Sequence, residues 1–360
     1  MLVYLINFAL VIFWGNLLKD KKVSTAIILI QMFLMLAFGD ISLGIDSKTY
    51  FSGYEYIAQL DFTDMLSRLR LLHSAKLIYP FDFEGGYVFL NWVVAHMGFG
   101  FKGFLVIISA FMMFSLGKFI MEYAEKPWLS ILLYVSLGFF TYDFGILRQA
   151  LALHILLFAF PAVAERNIKK FLFYVFMAFL IHRTAVIFIP LYFLGNRKFT
   201  KNTIAFSFCL DFILVAFMPF ILKFIIFPVF SYMGKGGYIQ TPVFVKNNLI
   251  ILMLAIMAVL FIFCNFEQCQ SSTWRIVLWA FTLSVFVEIA GCYIEALGRI
   301  IQYYYIAVIL LIPKVIYYYR ERDTKILVSG ILLFLLLGFY IHSLNDSRIS
   351  STLVPYKIFF

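Results

Sequence analysis

The chain has 360 residues, of which 64% are hydrophobic and 13% charged, with a mean hydropathy of +0.96. So little polar surface cannot cover a soluble globule, and the sequence reads as an all-α polytopic membrane protein with a single integral domain over residues 1–360. Its net charge of +10 does not mark a nucleic-acid binder, because many of the basic residues gather in short clusters between apolar runs, and no nucleic-acid partner is expected.

Four clusters anchor the topology: "KDKK" at Lys19–Lys22, "ERNIKK" at Glu165–Lys170, "NRKFTK" at Asn196–Lys201 and "YRERDTK" at Tyr319–Lys325. The positive-inside rule places all four in the cytoplasm. Threading the apolar runs between them gives roughly twelve crossings, with both termini outside. In chain order these are Leu2–Leu18, Val23–Leu43, one within Gly86–Met121, Pro127–Tyr142, Gly145–Val163, Phe171–Ile181, Ala185–Gly195, Ile204–Ile221, Phe244–Phe263, Arg275–Ala290, Ile300–Tyr318 and Ile326–Ile341.

The segment Gly86–Met121 is too long for one straight span, and two crossings there would invert every later basic loop. A bent or re-entrant element is therefore predicted around "MGFGFKG", where glycines tolerate a broken helix. Met1–Leu18 lacks a leading basic region, so it reads as a first helix rather than a cleaved signal peptide. Cys209, Cys264, Cys269 and Cys292 form no CxxC pair, and neither a disulfide nor a metal or other cofactor is expected.

Two external segments, 42–83 and 230–242, are read as cavity-covering elements. In the first, Phe62, Met65, Leu66, Leu69 and Leu72 fall at helical spacing with Asp61, Asp64 and Arg68 turned away, which predicts an amphipathic helix on the outer leaflet. The second is turn-rich and contains no GxxxxGK[ST] phosphate loop.

With this orientation, unusual polar residues fall at the outer ends of different helices: Asp46, Tyr50, Glu84, Tyr87, Arg148, His182, Arg183, Arg299, Tyr303 and Tyr356. Ionisable groups at such depth are costly unless they meet a partner or a watery cavity. Three arginines near one face suit a polyanion, since guanidinium stays charged when partly desolvated and grips phosphate oxygens in a planar fork. His182, Glu84 or Asp46 has the chemistry to take a proton from an attacking hydroxyl, in that order of preference.

Plainer readings stand beside these. Arg148 with Asp143 reads as a helix-capping ion pair, Arg183 as a side chain snorkelling to the interface, and His182 and His154 as hydrogen-bonded structural histidines. Glu288, Glu295 and Arg299 share one helical face by spacing, with Glu295 and Arg299 as an i,i+4 pair. Tyr303–Tyr305 and Tyr317–Tyr319 read mostly as an interfacial aromatic belt. Asp211, in the middle of an apolar run, calls for a buried partner.

The ordered set "IDSKTY", "FEGGY", "LRQALA", "IHRTAV", "GRIIQY" and "VPY" resembles the EpsG family of Wzy-type polysaccharide polymerases across most of the chain. One departure is Arg183, where the family usually has a small residue after the histidine. The resemblance implies a GT-C-like membrane glycosyltransferase that extends O-antigen, capsule or exopolysaccharide at the outer face of the bacterial inner membrane. Donor and acceptor would both be glycans on undecaprenyl pyrophosphate, with a flippase and a chain-length regulator as partners and membrane lipids around it. In this scheme Arg148, Arg299 and Arg183 hold the pyrophosphate, His182, Glu84 or Asp46 acts as base, and Tyr50, Tyr87, Tyr303 and Tyr356 contact substrate. An O-antigen ligase or another lipid-linked transferase has the same requirements apart from the acceptor. A flippase or secondary transporter would instead use Asp211 and Glu288 as a proton relay, although such proteins usually show repeated halves and sites near the membrane midplane.

Overall fold

The computed structural model describes residues 1–68, 81–228, 248–263, 266, 271–318 and 322–358. Among them the chain is 82% helix without a strand. Five helices are long and apolar enough to cross a membrane: Lys21–Phe38, Phe101–Tyr123, Lys201–Phe224, Ser272–Gly291 and Ile326–Asn345. Two further pairs, Pro127–Ser136 with Phe139–Gly145 and Gly298–Tyr305 with Val308–Ile316, qualify if each bent pair is one span, their bends being 56° and 48°. The protein is thus a multi-pass membrane protein; five to seven spans are clear among the described residues, where twelve crossings were expected over the whole chain. Other apolar runs, such as Leu2–Leu17 and Leu147–Leu157, fold as helices that fall short of a ~30 Å hydrocarbon core at ~1.5 Å per residue.

Helices cluster into two compact units. The first comprises residues 1–162, 169–186 and 312–360, and the second residues 163–168 and 187–311. In the first, α1 (Leu2–Leu17) packs on α2 (Lys21–Phe38), whose start is capped by the Asp20 carboxylate accepting from the Lys22 amide at 2.7 Å. Then come α3 (Ser47–Ala58), α4 (Phe62–Arg68), α5 (Gly85–His96) and α6 (Phe101–Tyr123), which runs alongside α2. The chain breaks between α5 and α6 at Met97–Gly100, where Gly98 has a φ of +87°, so the glycine-rich stretch ends one helix and begins a full span. In α4, Met65 is buried and Asp61 caps the first turn through the Asp64 amide at 2.7 Å. Phe62 and Leu66 are exposed there, and Leu69 and Leu72 lie outside the described residues.

After α6 the chain continues as α7 (Pro127–Ser136), α8 (Phe139–Gly145), α9 (Leu147–Leu157), α10 (Phe160–Ala164) and α11 (Ile168–Ile181). The two ends of this unit differ in chemistry. At one, Lys21 Nζ donates to the Glu125 carbonyl at 3.3 Å and Lys314 pairs with the Glu125 carboxylate at 3.1 Å. At the other, Lys102 Nζ donates to the Gly39 carbonyl at 2.6 Å, so α2 and α6 are antiparallel between the two. The C-terminal segment closes over this second end: the Asp40 amide donates to the Lys357 carbonyl at 2.9 Å and Tyr356 Oη to the Met35 carbonyl at 2.9 Å.

The second unit holds α12 (Ile189–Leu194) and α13 (Lys201–Ile221), the latter opened by a Thr200–Thr203 capping box. The helix Ser272–Gly291 packs on both. The sequence put Glu288, Glu295 and Arg299 on one helical face, but the helix ends at Gly291 and a new short helix begins at Glu295. A β-carbon on Gly291 would lie 2.9 Å from Gly298 Cα, so the chain doubles back at that point, and the Glu295 side chain lies outside those described. Tyr303, Tyr304 and Tyr305 correct the expectation of an aromatic belt: all three are buried within this unit, Tyr304 donating to the Ile187 carbonyl and stacking on Phe188 at 5.8 Å. Their ring bodies favour burial where the hydroxyl finds an acceptor. The loop 230–242, Cys264, Cys269 and the side chains of Tyr317–Tyr319 lie outside the described residues.

Candidate functional site

Glu84 organises the candidate site. It stands at the N-terminus of α5, where the positive end of the helix favours a carboxylate, and its side chain turns away from the helix instead of capping it. Oε2 accepts from Arg148 Nη1 at 2.5 Å, while Oε1 accepts from the Arg183 amide at 3.2 Å and faces His182 Nδ1 at 2.9 Å. Burial opposes the charge on Glu84, but the His182 hydrogen bond and the Arg148 cation outweigh it and hold the carboxyl down at about 2.

Each partner is delivered by a local break in the chain. Arg148 lies in the first turn of α9, just beyond the non-helical Ile146, and a cation at that positive helix end needs an anion to offset it. His182 follows the last residue of α11, and Arg183 opens a 3-10 turn over Arg183–Phe188, which leaves its amide free to donate outward. The two elements meet because Gly86 allows it: a β-carbon there would sit 2.6 Å from Leu180 Cβ, so the start of α5 lies directly on the end of α11.

Arg148 is gripped on several sides. Nη1 also donates to the Asp82 carbonyl at 2.7 Å, and the guanidinium lies 4.9 Å from the Phe83 ring centre and 5.9 Å from that of Tyr50. Tyr50 is buried, stacks on Phe83 at 5.9 Å and meets Tyr87 edge-on at 5.9 Å, so Tyr50 and Tyr87 form the packed wall behind the arginine. The Arg148 side chain retains 20% exposure and that of His182 22%. Among the described residues no acceptor meets the half-buried Arg183 guanidinium, whose backbone alone is tied to Glu84.

The site residues expected from sequence therefore separate. Glu84, Arg148, His182 and Arg183 come together, with Tyr50 and Tyr87 behind them. Asp46 sits at the start of α3 with its amide on the Gly145 carbonyl at 3.3 Å, outside the clamp. Tyr356 anchors the C-terminal segment, its ring edge-on to Tyr4 at 5.9 Å. Arg299 is partly exposed and Tyr303 fully buried, both within the second unit.

One plain reading of the sequence, the pairing of Arg148 with Asp143, does not hold. Arg148 does not cap its helix with Asp143; it pairs with Glu84, 64 positions away. Asp143 instead belongs to a buried cluster with His154, Tyr134 and Ser115.

Chemically, the clamp holds a carboxylate that accepts three donors, a histidine with one ring nitrogen committed and the other available, and the guanidinium of Arg148, with Arg183 joined through its backbone. No curated protein and no solved structure matches the chain significantly. The EpsG family does match, over residues 5–358. The chain belongs to the EpsG family, the family of Wzy-type polysaccharide polymerase-like proteins.

Proposed function

We propose that the protein lengthens a polysaccharide by transferring a growing glycan from undecaprenyl pyrophosphate to a single lipid-linked repeat unit at the outer face of the bacterial inner membrane. The observation that carries this reading is the Glu84 clamp, which fixes a cation and an imidazole at the same edge of one unit. The topology supports it: the clamp and Lys102 lie toward one end of that unit, and Lys21, from a cluster expected inside, lies at the other beside Glu125 and Lys314. A GT-C-like arrangement, with the shorter helices counted among the crossings, is part of the proposal.

In this mechanism the acceptor hydroxyl attacks the anomeric carbon of the donor, and the bond to the lipid pyrophosphate breaks. Glu84 is an ionised acceptor of three hydrogen bonds, so it holds the proton on His182 Nδ1 and leaves the Nε2 lone pair to take the hydroxyl proton. Arg148 and Arg183 stabilise the charge that develops on the departing pyrophosphate. Tyr50 and Tyr87 act by supporting Arg148. Asp46 borders the path of the sugars, while Tyr303 is buried and Tyr356 anchors the C-terminal segment.

The test is the purified protein in liposomes with a defined lipid-linked repeat unit, scored for a ladder of products. Wild-type protein gives a ladder and His182→Gln accumulates single units. A ladder from His182→Gln equal to wild type would remove the histidine from the role of base, and, with a lipid A core added as a second acceptor, product joined only to that core would mark a ligase.

A further inference from the structure

A second polar cluster lies in the same unit as the clamp and takes no part in the mechanism above. Ser115 on α6, Tyr134 on α7, Asp143 on α8 and His154 on α9 are each no more than 3% exposed. His154 Nδ1 is 2.7 Å from Ser115 Oγ, and Nε2 is 3.0 Å from Tyr134 Oη and 3.4 Å from Asp143 Oδ1. Tyr134 donates to Asp143 Oδ2 at 2.7 Å, and Ser115 to the Met112 carbonyl at 2.8 Å. One point therefore joins four successive helices through side chains that satisfy one another, and removing a member strands the rest in an apolar interior.

The position of this cluster along the chain gives it a task. Asp143 lies just before the break at Ile146 and Arg148 just after it, while His154 lies further along the same α9. Six residues at about 100° each put Arg148 and His154 roughly 120° apart around the helix, so the histidine faces inward while the arginine faces Glu84. A 20° rotation of α9 would carry a guanidinium ~8 Å from the axis by about 3 Å, enough to break the Glu84 contact. The other side of the bend is closed as well: Gly44, with a φ of +111°, lies so close that a β-carbon would be 2.5 Å from Gly145 Cα.

We propose that Ser115, Tyr134, Asp143 and His154 form a latch that fixes the bend and rotation of α9 and so sets the guanidinium of Arg148. They are positioning residues that act through Arg148, and their importance for chain growth rests on the function proposed above.

Phenylglyoxal, which modifies accessible guanidinium groups, tests this on purified full-length protein in nanodiscs. The modification of each arginine is followed by peptide mass spectrometry, with Arg183 as the internal reference and chain growth measured in parallel. Tyr134→Phe, which removes one hydroxyl and little volume, and His154→Gln are each expected to raise the modification rate of Arg148 about tenfold or more relative to Arg183. In an Arg148→Lys background, Tyr134→Phe is expected to reduce chain growth no further. Unchanged Arg148 reactivity in both variants, or losses of chain growth that multiply fully with Arg148→Lys, would overturn the latch. An Arg148 loosened in both variants of a protein whose wild type elongates no lipid-linked glycan would support the latch and refute the proposed reaction.

Discussion

Replacing Glu84 with glutamine separates the charge of the clamp from its shape. The amide is nearly the same size and keeps one acceptor oxygen, but it cannot offset Arg148. The folded protein lowers the Glu84 carboxyl from 4.5 to about 2, against burial, through the His182 hydrogen bond and the Arg148 charge. At about 1.4 kcal/mol per pH unit that difference is worth about 3 kcal/mol, or roughly a hundredfold in an equilibrium constant. The sign follows from linkage: the carboxyl is more acidic when folded, so its contribution is complete above the usual carboxylate range, declines as pH falls toward about 2, and is lost below it.

Between pH 5 and 8 the wild-type clamp is therefore intact, and Glu84→Gln lacks it throughout. We expect the variant to extend lipid-linked units up to about a hundredfold more slowly than wild type, with a deficit at every pH in that window. Product ladders over time measure this, with thermal unfolding in detergent to confirm that the variant folds. A folded Glu84→Gln with chain growth close to wild type would refute the argument that Glu84 orders Arg148 and His182.

Other substitutions probe different parts of the site. Arg148→Lys keeps the charge but loses the flat guanidinium over Phe83 and the remaining N–H groups that a bidentate grip on phosphate needs, and chain growth should fall about a hundredfold; a normal ladder would demote Arg148 to a structural cation. Arg183→Ala leaves the backbone hydrogen bond to Glu84 in place, so we expect a rise in the KM for lipid-linked substrate of about tenfold with little change in kcat, and an unchanged KM would exclude a role in anion binding. Gly86→Ala places a methyl group 2.6 Å from Leu180 Cβ and should separate Glu84 from His182, lowering chain growth as Glu84→Gln does; wild-type growth would show that the helices yield at no cost. Cysteine at position 182 should react with an impermeant thiol reagent on intact spheroplasts while cysteine at position 21 does not, and the reverse pattern would invert the topology.

The sequence exposed the anomalies and not their partners. An arginine in an apolar run is visible in one dimension because its cost depends only on its surroundings. Its counter-ion is not visible, because Glu84 and His182 reach Arg148 through packing between elements far apart in the chain. Proximity in sequence suggested Asp143, but the break at Ile146 turns Asp143 inward, away from the arginine beside it. His154 looked unremarkable for the same reason: its meaning lies in Ser115 and Tyr134, on two other helices. The tyrosines 303–305 misled because a run of amphipathic rings has the same composition whether it faces an interface or a protein interior.

The clamp also accounts for how Arg148 is kept ready before a substrate arrives. An unpaired guanidinium at the N-terminus of a buried helix would be pulled toward water or destabilise that helix, whereas one paired with Glu84 stays in place at a smaller desolvation cost. The same pairing cancels its long-range attraction for anions, so Arg148 alone would be a poor bait. The guanidinium of Arg183, which meets no acceptor among the described residues, would in the proposed reaction be the group left to draw an anion in. In the proposed reaction a pyrophosphate is thus met first by Arg183 and then by the exposed edge of Arg148. Because Glu84 also holds the Arg183 amide and faces His182, it keeps two of its partners even while Arg148 shares its charge with the ligand. One carboxylate can therefore hold the base and the anion site in register through the whole cycle.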